Sequence, residues 1–287
     1  MNRMTRNYIT EEGFNVEYTV VGQGEPVLIM HGGHSNCNEV LGYSKLTDRG
    51  YSIITPSRPG YGKTSKELGE NISIACEAYL NLLDDLCIPQ VHIISISAGG
   101  PSGIHFASKY PQRVRSLILQ SAVSHRWLIP DNKLYKSAQL IFRPSNEKYV
   151  WAMMRFMNKW FPRLLFKSMI ASFSTFPRKE VLQNISEEDL YLFKQMLNRQ
   201  RSGSGFFIDL EQTGHDLNPV LSTIQCPTLI MHSIHDAAVS VVHARHAHQH
   251  IPNAQLCELD TWGHLIWLGE GAHVMYHNLF AFLEKQG

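Results

Sequence analysis

Val91-His92-Ile93-Ile94-Ser95-Ile96-Ser97-Ala98-Gly99-Gly100 runs a nearly unbroken apolar segment into a serine and out again through three small residues. A short run that is apolar on both faces belongs inside a parallel sheet, where helices cover it from above and below. The residues from Ala98 to Lys109 read as a helix, so Ser97 falls on a sharp strand-to-helix turn. Such a turn holds the serine in a strained backbone conformation, and the positions two before and two after it must be small to clear neighbouring backbone. Gly99 meets that demand fully; Ser95 stands where glycine is usual, and its side chain is still small. A serine that merely caps the following helix is the competing reading, and the rest of the chain decides between the two.

On the N-terminal side, Phe14–Val21 and Val27–Met30 are β-rich runs separated by the turn Gly22-Gln23-Gly24-Glu25-Pro26. After His31-Gly32-Gly33 a helical stretch leads to the run Tyr51–Thr55, which stops at Pro56 before the Pro- and Gly-rich Arg58-Pro59-Gly60-Tyr61-Gly62. Ile72, Cys76, Tyr79, Leu80, Leu83 and Leu86 follow helical spacing. On the C-terminal side come Leu117–Leu119, Thr228–His232, a helix near Val241–His250, Gln255–Leu259 and a closing helix. Strands alternating with helices predict an α/β fold, a mostly parallel central sheet with helices on both faces.

The interval 124–216 breaks this rhythm. It holds aromatic and Met-rich helical patterns such as Tyr149-Val150-Trp151-Ala152-Met153-Met154-Arg155-Phe156-Met157 and no convincing strand, so it reads as a helical insertion in a core made of 1–123 and 217–287. Residues 125–205 carry 14 Lys plus Arg against 6 Asp plus Glu, a balance of +8 that leaves −7 for the remainder. The favoured reading of that basic insert is a solvated outer face over an apolar inner one, and membrane contact is not expected.

At 287 residues with 44% apolar and 18% charged residues, the chain can bury a sizeable core and is not of disordered composition. A net charge of +1 offers no overall drive towards nucleic acid. Cys37, Cys76, Cys87, Cys226 and Cys257 are odd in number and contain no C-x-x-C pair, so they read as buried free thiols. Met1–Val16 lacks the apolar stretch of a signal peptide and no apolar run reaches membrane-spanning length, which predicts a cytoplasmic protein.

A serine hydroxyl becomes a useful nucleophile only beside a general base, here a histidine that a carboxylate orients. Pro227–His232 is an apolar strand, and Ser233-Ile234-His235-Asp236 puts Asp236 on the loop at its end; after Gln255–Leu259, Asp260-Thr261-Trp262-Gly263-His264 puts His264 on the next such loop. In a parallel sheet these loops gather at the C-terminal edge of the strands. Ser97, Asp236 and His264 are therefore able to converge.

In this order of serine, acid and histidine, together with His31-Gly32-Gly33, Arg58-Pro59-Gly60-Tyr61-Gly62 and the Ser97 turn, the chain resembles the α/β-hydrolase family from Phe14 to the C-terminal helix. The resemblance implies that Ser97 is the nucleophile, His264 the general acid/base and Asp236 the group that holds the imidazole tautomer, with 124–216 as the family's cap. It implies a cofactor-independent serine hydrolase acting on a carboxylic ester or related acyl bond of a small-molecule substrate. Two alternatives are hydrolytic carbon–carbon cleavage of a diketone-like substrate and a non-catalytic ligand-binding protein of the same fold. A serine rather than an aspartate at the turn argues against the family's epoxide hydrolases and haloalkane dehalogenases.

Acyl transfer also needs donors for the developing oxyanion, commonly two backbone N–H groups. Ala98, after the nucleophile, supplies one; Gly33 is the choice for the second, with His34 as runner-up. His31 reads as a structural support of that loop, and Arg58 as a brace of the loop edge in preference to a ligand for a substrate carboxylate. Gly60-Tyr61-Gly62-Lys63-Thr64 lacks the first glycine of a phosphate loop. His243, His246 and His250 share what reads as an exposed helix face and have no further ligand at metal-site spacing; no metal is expected.

Overall fold

Residues that are apolar on both sides of a strand build the parallel core. The structure, a computed structural model, describes residues 3–127 and 133–286; part of the predicted insertion, 128–132, lies outside the described residues. The strands are β1 (Thr5–Ile9), β2 (Asn15–Val21), β3 (Glu25–Met30), β4 (Tyr51–Pro56), β5 (Val91–Ile96), β6 (Val114–Gln120), β7 (Thr228–Ser233) and β8 (Ala254–Leu259). They form one sheet in the order β1-β2-β4-β3-β5-β6-β7-β8. β2 runs antiparallel to β1 and β4, and every other pair is parallel. All six residues of β5 and all six of β7 are buried.

The helices are α1 (Ser44–Thr47), α2 (Ile72–Asp85), α3 (Gly100–Lys109), α4 (Lys133–Ile141), α5 (Glu147–Trp160), α6 (Pro162–Phe173), α7 (Arg178–Asn184), α8 (Glu187–Arg199), α9 (Gly205–Gln212), α10 (Asn218–Leu221), α11 (Val242–His250) and α12 (Ala272–Leu283). The pleat divides the strand residues between two cores. Leu28, Ile93, Leu117 and Ile230 face α2, α3 and α11, while Ile29, Ile94, Ile118 and Leu229 belong to the core that takes in α12 and apolar residues of α5, α6 and α8. Helices α4–α9 all fall between β6 and β7, and no described helix is long and apolar enough to cross a membrane.

Several expectations need correction. No strand is anticipated before Phe14, yet β1 adds an edge strand there; its residues are mostly polar and mostly exposed, which hides the alternation that would reveal it. β2 and β3 are joined tightly through the turn as expected, and β4 lies between them in the sheet. The helical stretch expected before Tyr51 is only the single turn α1. Cys87 is exposed and Cys257 half-buried, so only three of the thiols are buried.

The histidine face of α11 is not exposed: His243 is buried. The Ser124 N–H donates to its Nδ1 at 3.3 Å, and the Ser124 hydroxyl donates to its backbone carbonyl at 2.6 Å. Among the described residues no group of three His, Cys, Asp or Glu side chains is placed to hold a metal ion.

Burial, reinforced by the field of His125, lowers the pKa of His243 to about 3 from an ordinary value of 6.5. The folded chain thus binds fewer protons than the unfolded chain between those values, and the stability this neutral histidine contributes is complete above 6.5 and lost as pH falls. The slope reaches at most ~1.4 kcal/mol per pH unit for such a group. Thermal melts over that window are expected to show a falling midpoint on acidification, and His243→Gln should flatten the slope; an equal slope in both proteins would place the acid sensitivity elsewhere.

Candidate active site

Parallel β3, β5, β7 and β8 all deliver their C-terminal ends to one edge, and the loops that follow carry the residues singled out in the sequence. Ser97 lies at the end of β5 with φ of 51°, in the left-handed region that a non-glycine residue adopts only when its surroundings enforce it. The requirement for small neighbours is visible in the packing. A Cβ on Gly99 would run into the carbonyl oxygens of Met30 and His31, and one on Gly103 would strike the Ser95 hydroxyl. The glycine that Ser95 displaces from the usual motif is thus compensated by Gly103 on α3.

His264 Nε2 lies 3.0 Å from Ser97 Oγ, and His264 Nδ1 lies 2.7 Å from Asp236 Oδ2. An ionised carboxylate only accepts hydrogen bonds, so Nδ1 carries the proton and the Nε2 lone pair faces the serine hydroxyl. Asp236 is held from both sides. Its Oδ1 accepts from the N–H groups of Ala238 at 2.8 Å and Val239 at 2.9 Å, and His232 Nε2, which donates to the Val239 carbonyl at 2.8 Å, also lies 3.1 Å from its Oδ2. Burial raises the Asp236 pKa, but the opposing pull of His264 and His232 outweighs it and holds the carboxyl well below the usual carboxylate range. Ser97 itself is half-buried while Asp236 and His264 are buried, so the serine is the most accessible residue of the three.

The helical insertion reaches into this constellation. The carbonyl of Phe173, the last residue of α6, accepts from the N–H groups of His264 at 2.8 Å and Ala237 at 3.3 Å, and the Ser174 hydroxyl donates to the Trp262 carbonyl. One short segment therefore ties the histidine loop to the acid loop. The Ser121 hydroxyl fixes the His264 carbonyl from the β6 side at 2.8 Å.

At the loop after β3, a Cβ on Gly32 would lie 3.2 Å from Ser97 Cβ, a tight contact that brings this loop close against the serine. Gly33 packs beside Ala98, and its N–H meets no acceptor among the described residues. The N–H of His34, in contrast, donates to Tyr61 Oη at 3.2 Å. His31 props the loop, accepting the Arg58 N–H at Nε2 at 2.9 Å while its Nδ1 donates to the Gly32 carbonyl at 2.8 Å.

Arg58 is engaged in a buried ion pair. Its Nη1 and Nη2 donate to the two oxygens of Asp209 on α9, the second at 2.8 Å, and Tyr61 Oη donates to Asp209 Oδ2 at 2.6 Å. With this pair, its Nε donating to the His31 carbonyl at 2.7 Å, and its burial, the guanidinium braces the loop and is closed off from solvent. The chain of contacts runs from α9 through Asp209 and Tyr61 to the His34 N–H, beside Gly33.

A second set of contacts closes on His34. Trp151 Nε1 donates to the Ser202 hydroxyl at 2.8 Å, and that hydroxyl lies 2.8 Å from His34 Nδ1. The His34 ring stacks on Phe206, and burial lowers its pKa to about 3.

Sequence reasoning missed Asp209, Ser202 and His232 as members of this neighbourhood and quoted Tyr61 only as part of the Arg58–Gly62 motif. Of the first three, only His232 carried a local signal, four residues before Asp236 at the end of an apolar strand. A cleft of about 840 Å³ between Lys66–Glu70 and the outer side of α9 touches none of Ser97, Asp236 and His264.

The chain belongs to the alpha/beta hydrolase fold family, whose profile it matches over residues 25–270. It is 52% identical over 277 residues to the uncharacterized hydrolase YcgS of Bacillus subtilis, covering 96% of this chain and 98% of that one. It is 24% identical to the 2-hydroxy-6-oxo-6-phenylhexa-2,4-dienoate hydrolase of Burkholderia cepacia, with 89% and 88% of the two chains covered. Among solved structures, an alpha/beta hydrolase fold protein from Nakamurella multipartita superposes with a TM-score of 0.81 at 25% identity, covering 96% of this chain and 97% of that one.

Two substitutions test this packing. Asp209→Ala strands the buried Arg58 guanidinium and is expected to lower stability by about 3–5 kcal/mol; an unchanged urea midpoint would show that the pair carries no net stability. Ser95 Oγ is buried without a partner among the described residues. Removing it in Ser95→Ala should raise stability by about 1 kcal/mol, and a lower urea midpoint would mean that the hydroxyl has a role its surroundings do not reveal.

Proposed function

We propose that this protein is a cofactor-independent serine hydrolase that cleaves a carboxylic ester or related acyl bond of a small molecule through an acyl-enzyme. The observation that carries this reading is the relay Ser97 Oγ–His264 Nε2–Asp236 Oδ2, at 3.0 and 2.7 Å, on a serine with φ of 51°. In this reading His264 Nε2 takes the Ser97 proton as Oγ bonds to the substrate carbonyl carbon. The proton then passes to the leaving oxygen as the ester C–O bond breaks. Water, deprotonated by the same nitrogen, attacks the acyl carbon and releases the acid, restoring Ser97. Asp236 remains ionised and steadies the imidazolium.

The N–H groups of Gly33 and Ala98 are assigned to the developing oxyanion. The unpartnered Gly33 N–H supports that choice over His34, whose N–H is already engaged by Tyr61. The insertion 124–216 is proposed as the cap that shapes the substrate pocket over the core of 1–123 and 217–287. Hydrolytic carbon–carbon cleavage of a diketone-like substrate is the second reading, favoured by the similarity to the dienoate hydrolase of Burkholderia cepacia over 89% of this chain.

Intact-protein mass after exposure to a small fluorophosphonate is expected to show one adduct, absent in Ser97→Ala and in His264→Ala. An adduct that persists in Ser97→Ala would overturn the assigned nucleophile. Asp236→Asn, which favours the wrong imidazole tautomer, should lower turnover by ~10⁴-fold by analogy with the Ser-His-Asp template. Parallel assays on p-nitrophenyl esters and on a dienol diketone separate the two substrate classes by which one is turned over.

A further inference from the structure

Helix α5 is apolar on two opposite faces. Its inner side buries Trp151 against the core with Met154 packed beside it. Its outer side carries Tyr149, Met153, Phe156 and Trp160, which are 67%, 61%, 58% and 60% exposed. Offsets of four, seven and eleven residues put these four in one stripe along the helix, turned away from the buried side. Phe161 and Leu164 extend the exposed patch onto the start of α6. Large side chains gathered in this way on a water-facing surface mark a contact site, and no described residue covers them. The insertion, read from its sequence as a solvated basic outer face over an apolar inner one, thus also turns a stripe of large apolar side chains outward.

Charge identifies the partner. Residues 135–179 contain nine Lys and Arg and a single acid, Glu147. That acid is buried, and Arg201 pairs with it at 2.8 Å. Lys148, Lys159 and Lys167, all exposed, flank the apolar stripe. A second copy laid symmetrically on this face would set one strongly basic surface against another, which like charges oppose. An apolar stripe edged by lysines on the water-facing side of a helix matches an interfacial contact, in which aromatic side chains enter the boundary of the bilayer and lysines meet anionic headgroups.

We propose that the outer face of α5 and the start of α6 form a docking surface for an anionic lipid bilayer, holding the protein on the membrane surface without spanning it. Trp151, on the opposite side of the same helix, bonds Ser202 beside His34. The docking face and the candidate active site thus share one helix. The proposal does not rest on the assigned chemistry, and Ser97→Ala should dock as the native protein does.

The test is co-sedimentation of the full chain with phosphatidylcholine vesicles and with vesicles of phosphatidylcholine and phosphatidylglycerol in equal amounts. Binding is expected to the anionic vesicles and to weaken as salt is raised. The double variants Phe156→Ser/Trp160→Ser and Lys148→Glu/Lys159→Glu should each weaken it by at least about tenfold. All four positions face solvent, so thermal midpoints should stay near the native value. Native protein left in the supernatant with anionic vesicles, or binding that neither variant weakens, would overturn the proposal. So would light scattering that finds a dimer converted to monomer by Phe156→Ser/Trp160→Ser, since the face would then be a contact between copies.

Discussion

Ser97 can hold its left-handed backbone only because the strand before it and the helix after it are both locked into the core. β5 is buried along its whole length between two parallel neighbours, and α3 packs against it through Gly103 with no space to spare. A residue with φ of 51° costs of order 1–3 kcal/mol, and the burial of β5 and α3 supplies the counterweight. Much else is arranged around that fixed point. The loop after β3 passes close against Ser97 at Gly32, and the Val123 N–H donates to the Ser97 carbonyl at 2.9 Å where the chain leaves β6.

The insertion is better described as part of the scaffold than as a cover laid over it. Phe173 and Ser174 bond the loops of Asp236 and His264 through their backbone groups, and Asp209 pins the Arg58 loop through a buried ion pair. Either set of contacts leaves donors or a charge unpaired in a buried setting when broken, which is far costlier than exposing an ordinary surface contact. The positions of Asp236, His264 and the loop after β3 are therefore coupled to the packing of α6 and α9. His232 contributes from the core side, because its Nε2 approaches both the Val239 carbonyl and Asp236 and so restrains the acid where β7 ends.

The outer side of the insertion shows a different balance. An ordinary surface helix has one apolar stripe that packs and one polar stripe that faces water. Helix α5 packs with one stripe and turns a second towards solvent, within a segment whose charges are nearly all of one sign. The same chain is thus acidic over the core and basic over the insertion, and the near-zero total conceals that separation.

The sequence by itself determined the sheet-and-helix alternation and the three loops on which Ser97, Asp236 and His264 lie. Each of these has a local cause: an apolar run of strand length, a turn-forming cluster, or a reactive residue just beyond a strand end. Only the tertiary structure decided that β4 separates β2 from β3, that the polar edge strand β1 exists, and that Asp209, Ser202 and His232 stand in the site's surroundings. Strand order depends on crossovers, which leave no mark in any window of sequence, and β1 is held by pairing with β2 more than by burial of its own side chains. Asp209 is 151 residues from Arg58; a carboxylate and a guanidinium that far apart carry no sign of each other until folding removes both from water.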